Sequence, residues 1–180
     1  MLVSSFYGQF PVRERHVLRT LILILGVLVA LILLLIAIGY ALPIGHVATR
    51  ETRVGAPPER VFSVLRDVEK FPTWRSDVKS VEVLATAPAL RWCERGDDDI
   101  TFEMESVEPP RKIVTRIADR TLPFGGSWTY ELSPQDGGTR LVITENGEVY
   151  NPLFRFMSRF VFGHTATIDR FIDDLGRYLR

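Results

Sequence analysis

The sequence has little cysteine and no net charge, and both features limit what the protein can be. Cys93 is the single cysteine, so an intrachain disulfide and a zinc site with four cysteine ligands are excluded. Lys and Arg together number 22, as do Asp and Glu. A general nucleic-acid binder usually carries a basic excess, so we expect no nucleic-acid partner.

The common motifs of catalysis and nucleotide binding are also missing. The chain contains no G-x-S-x-G, H-E-x-x-H, G-x-x-x-x-G-K or G-x-G-x-x-G. His16, His46 and His164 are too scattered to suggest a metal site. Cys93 has no neighbouring histidine in sequence, so we interpret it as a small strand residue. We expect no metal and no cofactor, and enzymatic activity stays open with a non-enzymatic role favoured.

Charge is absent from one long stretch, because no Asp, Glu, Lys or Arg lies between Arg19 and Arg50. Within that gap Leu21–Leu42 is apolar apart from Tyr40. At about 1.5 Å per residue this run is long enough to cross a hydrocarbon core of about 30 Å. We therefore predict an N-terminal tail over 1–19, a transmembrane helix over 20–43 and a folded domain over 44–180.

The alternative for the apolar segment is a cleaved signal peptide, since Gly39-Tyr40-Ala41 offers small residues at the spacing of a cleavage site. A signal peptide usually has an apolar region of only about 7–15 residues, so an uncleaved anchor is favoured. Arg13, Arg15 and Arg19 precede the helix. By the positive-inside rule they favour a cytoplasmic N-terminus and a domain outside the cytoplasm.

The remaining chain carries signals for one strand, two short helices and a series of strands. His46–Val54 is predicted as a strand, the segment from Ala56 to Glu59 starts a helix, and Val68–Phe71 forms a second short helix. Short turns then separate the further strands, so we expect an antiparallel meander. These strands are predicted at Val78–Leu84, Leu90–Arg95, Ile100–Val107, Lys112–Ala118, Ser127–Leu132 and Thr139–Val149.

A long helix is predicted to end the chain. Asn151 is a good N-cap and Pro152 a good first helical residue. Apolar residues then recur at three- and four-residue spacing from Met157 to Leu179. We expect an almost continuous helix of about 28 residues, or about 42 Å, long enough to cross a whole sheet.

Four segments of the chain carry a family resemblance: Ala56–Phe62 (APPERVF), Asp67–Trp74 (DVEKFPTW), Val78–Leu84 (VKSVEVL) and Thr139–Phe162. They resemble the START/Bet v 1-like superfamily, in the bacterial polyketide cyclase/dehydrase-like branch known as SRPBCC. The resemblance covers about residues 46–180. It implies an α+β helix-grip fold, in which a curved antiparallel sheet of about six or seven strands surrounds a long C-terminal helix. It implies less about function, because members bind lipids, steroids, polyketides or nothing known.

Glu145 is the polar residue with the clearest candidate role. It follows Leu141 and Ile143 on one strand face, and if that face is concave the carboxyl group points into a cavity. It would then have a raised pKa and could bind a polar ligand group or act as an acid or base. The alternative, which we favour from sequence, is an ion pair with an arginine such as Arg116 or a sheet-edge position in water.

Several aromatic and helical residues could line the same cavity or simply fill the core. Trp74, Trp92, Trp128 and Tyr130 combine apolar rings with polar tips, and His164 lies in the apolar stripe of the last helix, where a satisfied core histidine is the commoner outcome. The predicted ligand-binding residues are Trp74, Trp92, Trp128, Tyr130, Glu145, His164 and Ile168.

A group of phenylalanines crowds the start of the last helix. They could form the mouth of a pocket or touch the bilayer, but packing in the core is the favoured interpretation. The residues are Phe154, Phe156, Phe160 and Phe162.

Three functions are consistent with these features. The leading hypothesis is a membrane-tethered binding module for an apolar small molecule or lipid, held between the sheet and the C-terminal helix. The second is a cyclase- or dehydratase-like enzyme that uses carboxylates in the pocket. The third is an interaction domain with a collapsed cavity and an exposed apolar patch.

Overall fold

The computed structural model describes residues 12–96, 99–163 and 165–180. Its first element is helix α1, Val12–Ala41, which is followed closely by Pro43. Proline cannot continue a helix because it lacks the N–H that the next turn requires. The part of α1 from His16 to Ala41 is long and apolar enough to cross a membrane, and its most apolar stretch is not covered by the rest of the chain.

A seven-stranded antiparallel sheet forms the centre of the domain. Its strand order is β1-β7-β6-β5-β4-β3-β2, so consecutive strands pair except that β1 lies beside β7 at one edge. This is the predicted meander, and the α+β helix-grip fold is confirmed. The strands are β1 Gly45–Val54, β2 Ser80–Ala85, β3 Arg91–Arg95, β4 Asp99–Glu108, β5 Lys112–Ile117, β6 Phe124–Gln135 and β7 Gly138–Val149.

Two short helices connect β1 to β2, as the sequence predicts. Helix α2, Pro58–Arg66, begins at a proline and buries an apolar stripe that includes Val61 and Leu65. A 3-10 helix, Val68–Thr73, follows and buries Phe71. Because proline has no N–H to lose at the first helical turn, Pro58 can start α2 without cost in hydrogen bonding.

The C-terminal helix differs from the prediction, because it is interrupted rather than continuous. Helix α3, Pro152–Met157, runs into a π-helical turn at Ser158–Phe162, and helix α4 starts only at Ala166 and ends at Tyr178. Gly163, with φ of +73°, separates the two parts in a conformation that L-residues with side chains rarely adopt. The three- and four-residue spacing therefore continues through the sequence although the helix itself does not.

Helix α4 packs across the concave face of the sheet and completes the core. Ile168 and Leu175 on α4 are fully buried, as are Leu141 and Ile143 on β7. Burying one such side chain contributes about 1.5–3 kcal/mol to folding. This packing fixes the position of α4 over the sheet, and a cavity remains between them.

Candidate functional site

A cavity of about 830 Å³ lies between the sheet and the C-terminal helical segments. This volume is within the range of about 300–1,000 Å³ that is usual for small-molecule sites. Its wall continues from β3 through β4, β5 and β6 to β7, and α3, the π-helical turn and α4 close it from the other side. Apolar side chains that contribute to the wall include Leu65, Phe71, Ile100, Phe102, Ile117 and Phe124.

Glu145 provides one charged position in the cavity wall. It lies on the concave face of β7, where it is about 20% exposed, and the Nε2 atom of His46 on β1 is 3.6 Å from its Oε1 atom. That distance is too long for a hydrogen bond, and the pair becomes ionic only if the imidazole is protonated. Arg116, the partner considered from sequence, instead pairs with Glu105 at 3.3 Å.

The surroundings of Glu145 favour its neutral form. Burial raises the pKa of Glu145 from its ordinary 4.5 to about 7, although the Trp128 side chain opposes this shift by hydrogen bonding to the carboxylate. The group therefore changes charge near neutral pH. A carboxyl group with this pKa, beside an imidazole, can donate or accept a hydrogen bond and can transfer a proton.

Arg75 provides another charged position, and it is compensated on two sides. Its guanidinium, about 12% exposed, lies 2.9 Å from Glu94 Oε2 and 2.8 Å from Asp77 Oδ2. The same group lies over the rings of Phe71 and Phe171 at 5.2 and 5.4 Å. Glu94 also accepts a hydrogen bond of 2.9 Å from the Trp92 indole. Each charged group in this cluster therefore has an oppositely charged partner, as a buried charge requires.

Burial and ion pairing act in opposite directions within this cluster. Burial raises the pKa of Glu94, and the nearby Arg75 charge reduces this effect without cancelling it. Burial also tends to raise the pKa of Asp77, but the hydrogen bonds from Arg75 and the charge of Arg75 together outweigh this effect, so the pKa lies below its ordinary value. Burial also raises the pKa of the Tyr130 hydroxyl, which therefore stays protonated as a donor in the cavity wall.

The cavity brings together four of the seven predicted ligand-binding residues. Trp92, Trp128, Tyr130 and Glu145 all line it. The Trp128 and Tyr130 rings are 6.1 Å apart and both contact Phe171 of α4. These residues span the concave face between Glu145 and the Arg75 cluster.

The other three predicted residues are placed differently. Trp74 and Ile168 are buried in the hydrophobic core and do not line the cavity. Trp74 packs edge-on against the rings of Phe71 and Phe171, which themselves line the cavity. His164 lies outside the described residues.

Phe154, Phe156 and Phe160 are not core residues, so the favoured interpretation was wrong for these three, and the side chain of Phe162 lies outside the described part of the structure. Phe154 is 52% exposed and also lines the cavity, and Phe160 is 60% exposed. Phe156 is only partly buried and packs against Phe160, with the two rings tilted and their centroids 4.9 Å apart. The interruption after residue 162 explains the error, because α3 and the π-helical turn do not share the buried face of α4.

Sequence reasoning missed several polar residues of the site, among them His46, Arg75 and Glu94. His46 was considered only as a metal ligand, although it lies in the predicted first strand. Glu94 lies two residues after Trp92, so the period of a strand places both on one face. Only the pairing of distant segments shows that Arg75 meets Glu94, and no local pattern could have indicated it.

The polar groups of the cavity are not arranged like the ligands of a metal ion. In the parts of the chain that the structure describes, no three His, Cys, Asp or Glu side chains are grouped closely enough to coordinate one. The polar groups are instead suited to hydrogen bonding with a polar end or edge of a mainly apolar ligand.

Comparison with known proteins identifies the family of the domain. Residues 46–180 match the family described as polyketide cyclase/dehydrase and lipid transport. No curated protein sequence matches the chain.

Solved structures with the same fold include proteins from several bacteria. A protein of Thermus thermophilus is similar with a TM-score of 0.61 and 22% identity, over 74% of this chain and 97% of that one. A START superfamily protein from Mycobacterium smegmatis has a TM-score of 0.59 and 17% identity, over 74% and 97% of the two chains. The Zhui aromatase/cyclase of Streptomyces sp. R1128 has a TM-score of 0.57 and 17% identity, over 76% and 96%. At these identities the likeness establishes the fold alone.

Proposed function

We propose that this chain, which belongs to the polyketide cyclase/dehydrase and lipid transport family, is a membrane-anchored protein that binds one apolar small molecule or lipid in its cavity. The observation that carries the proposal is the cavity of about 830 Å³, which suits a ligand larger than a simple metabolite.

The polar groups of the cavity support a ligand with an apolar body and a small number of polar atoms. Glu94 and Asp77 compensate Arg75, so the buried guanidinium of Arg75 does not present an isolated charge. Glu145 is neutral over part of the physiological pH range because burial raises its pKa to about 7. A strongly charged ligand would find no uncompensated partner at either position, whereas a hydroxyl or carbonyl group could form hydrogen bonds at both.

Helix α1 supports the membrane anchor. Its exposed apolar side chains have no partner surface on the described part of the domain, and water is an unfavourable environment for such a long apolar helix. An anchor would hold the cavity close to a source of apolar ligands.

Recovery of a bound molecule tests this function. The full chain is extracted from its membrane in detergent, washed, and dissolved in organic solvent, and the small molecules released are identified by mass spectrometry. We expect one class of apolar molecule in an amount comparable to the protein. Recovery of only bulk membrane lipid, in the proportions of the membrane itself, would contradict selective binding.

We further propose that the domain lies outside the cytoplasm, with the N-terminus inside. Arg13, Arg15 and Arg19 before the helix support this orientation. Reporter fusions after Arg180 test it, since alkaline phosphatase is active only outside the cytoplasm and a fluorescent protein of the usual kind only within it. Fluorescence without phosphatase activity would contradict this orientation and place the domain in the cytoplasm.

A second candidate function is catalysis by acid–base chemistry. It is favoured by one observation, the position of His46 beside the Glu145 carboxyl group in the cavity wall. A positioned acid or base contributes a rate factor of about 10²–10⁴. Incubation of the recovered ligand with the protein should then give a product that differs in mass or in chromatographic retention, because a cyclisation that releases no water conserves mass, and Glu145→Gln should abolish the conversion. A ligand whose mass and retention both stay unchanged would indicate binding without catalysis.

A further inference from the structure

The last turn of α1 is bound to α3 through one buried side chain, that of Arg155. Its Nη1 atom donates hydrogen bonds of 3.0 Å to the carbonyl oxygens of both Gly39 and Leu42. Its Nε and Nη2 atoms donate to the carbonyl oxygens of Val149 and Tyr150 at 2.9 and 3.0 Å. One guanidinium therefore joins the end of the apolar helix, the end of β7 and the start of α3.

The sequence of α1 makes these carbonyl groups available. The last four carbonyls of a helix lack partners within the helix. The usual donor to Gly39 would be the amide of residue 43, but Pro43 has no N–H. Arg155 replaces that donor with its guanidinium, which carries five N–H groups in a fixed planar arrangement.

Direct backbone contact between α1 and α3 depends on Gly39. A Cβ atom at this position would lie 2.0 Å from the carbonyl oxygen of Pro152, which is far inside van der Waals contact. Gly39 is buried, and the apolar side chains around it are partly buried. These side chains are Leu35, Ile36, Ile38 and Leu42. The last two turns of α1 and helix α3 thus form one packed unit.

Apolar side chains are exposed around this unit. Phe160 and Val161 are 60% and 58% exposed, and Phe154 is also largely exposed. Tyr40 and Ile44, where the chain leaves α1, are exposed as well. We call this group of five residues the exit patch.

The exit patch adjoins the cavity. Phe154 lines the cavity and belongs to the patch, and Ser158 and Gly163 on the same segment also line the cavity. The segment that carries the patch is therefore also part of the cavity wall.

We propose that the exit patch is immersed in the surface of the bilayer that holds α1, and that the segment 152–163 forms the entrance by which a ligand passes between bilayer and cavity. The inference rests on the proposed membrane anchor. The bilayer is the partner that covers the patch, because Arg155 holds the patch against the last turn of α1, where the chain emerges from the hydrocarbon core. Aromatic side chains favour this depth, and Arg159 within the segment can extend its charged end toward the headgroups.

Spin labels on the full chain test the proposal. Cys93 is replaced by alanine, and single cysteines are placed at Phe160 and Val161 in the patch, at Leu28 in α1, and at Leu84 on β2. Leu84 is a matched control because it is a half-exposed apolar residue on the strand at the opposite edge of the sheet from β1. The protein is reconstituted in vesicles of phosphatidylcholine with phosphatidylglycerol, and collisions with oxygen and with a water-soluble nickel chelate are measured.

We expect labels at Phe160 and Val161 to collide more with oxygen and less with the nickel chelate than the label at Leu84. If they match Leu84 while Leu28 is in lipid, the anchor stands and the immersed patch is wrong. If Leu28 itself is not in lipid, the anchor and the patch both fail. Dipolar broadening between labels at Phe160 would mean that a second copy covers the patch, which would also overturn the proposal.

Two substitutions test the link to α1 separately from the apolar character of the patch. Arg155→Met removes the hydrogen bonds, and Gly39→Leu forces α1 away from Pro152. In either variant we expect the Phe160 label to shift toward the water-exposed values of Leu84, while the Leu28 label stays in lipid. An unchanged depth at Phe160 in both variants would show that Arg155 and Gly39 do not position the entrance.

Discussion

Two acidic groups in the cavity wall, Glu145 and Glu94, are buried under different electrostatic conditions. Glu94 forms an ion pair with Arg75 at 2.9 Å, whereas Glu145 has His46 at 3.6 Å and a hydrogen bond from Trp128. Burial raises the pKa of both groups. We therefore expect the stability of the domain to respond differently to pH and to substitution at the two positions.

Glu145 is predicted to make the domain less stable as the pH rises through the neutral range. Its pKa is about 7 in the folded protein and near 4.5 in the unfolded chain, so folding favours the protonated form. The stability that this group contributes is complete below pH 4.5 and is lost progressively up to about pH 7. At about 1.4 kcal/mol for each pH unit, the loss is at most about 3 kcal/mol.

The variant Glu145→Gln keeps the shape of the protonated side chain and removes its titration. We expect the variant to equal the wild type near pH 4.5 and to be more stable than it above pH 7. Thermal unfolding of the full chain in detergent, followed by tryptophan fluorescence, measures this, because all three tryptophans lie in the domain. Parallel pH profiles for the two proteins would show that Glu145 is ionised like an exposed carboxylate.

Arg75 is predicted to be essential for the stability of the cavity wall. In Arg75→Met the Glu94 carboxylate keeps its hydrogen bond from Trp92 but loses its compensating charge. Removing one partner of a buried ion pair typically costs about 3–5 kcal/mol. The same tryptophan-detected unfolding measures the loss.

The matched control is Arg95→Met, which removes an exposed arginine that pairs with Glu82 and Asp99 at 2.7 and 2.6 Å. Exposed pairs of this kind contribute about 0–1 kcal/mol, so this variant should remain close to wild type. Equal losses in both variants would indicate that the compensation of Glu94 is not what makes Arg75 important.

At the scale of elements, the short helix α3 depends on a part of the chain that is distant in sequence. Arg155 shares its donors between α1 and the domain, and two of its four acceptors are Gly39 and Leu42. The unpaired N–H groups of the arginine would need water or a new partner if α1 were removed.

Deletion of residues 1–43 is predicted to leave a folded, soluble domain in which α3 alone is less protected. Among the described residues, the core cluster of the domain contains no side chain from α1, so its packing should survive. Hydrogen exchange measured by mass spectrometry should show faster exchange for Leu153–Phe160 than in the full chain, with β5 and β6 unchanged. An aggregated product would contradict an independent domain, and unchanged exchange in α3 would contradict its dependence on Arg155.

At the scale of the whole molecule, the sequence predicts the domain well because its elements carry local signals. The bounds of β1, β3 and β7 lie within about two residues of the predicted ones, since alternation and turn residues define each strand locally. β6 starts earlier than predicted, at Phe124, because Gly125 and Gly126 give no strand signal. Those same residues line the cavity.

The site was only half predictable, for a physical reason. Glu145 and the three aromatic residues that line the cavity follow from the period of their own strands. The contacts of Arg75 with Glu94 and of Arg155 with Gly39 join positions 19 and 116 residues apart, and no periodicity links them. The interruption of the C-terminal helix at Gly163 was also not predicted, because an apolar stripe at helical spacing does not require that the helix be continuous.

An apolar ligand is predicted to occupy the cavity between the sheet and α4, and substitutions that fill this cavity test the prediction. Ile117 on β5 and Thr167 on α4 line this cavity from opposite walls, whereas Asp173 on the same helix is exposed and does not line it. Replacing the first two by tryptophan fills the cavity, and replacing Asp173 by tryptophan adds the same ring outside it.

Native mass spectrometry of the full chain, released from detergent, measures the fraction of protein that carries a bound small molecule. We expect wild type and Asp173→Trp to carry it in similar fractions, and the double variant Ile117→Trp/Thr167→Trp to lose it while remaining folded by tryptophan-detected unfolding. An unchanged bound fraction in the folded double variant would contradict the account, because the ligand would then bind elsewhere on the protein.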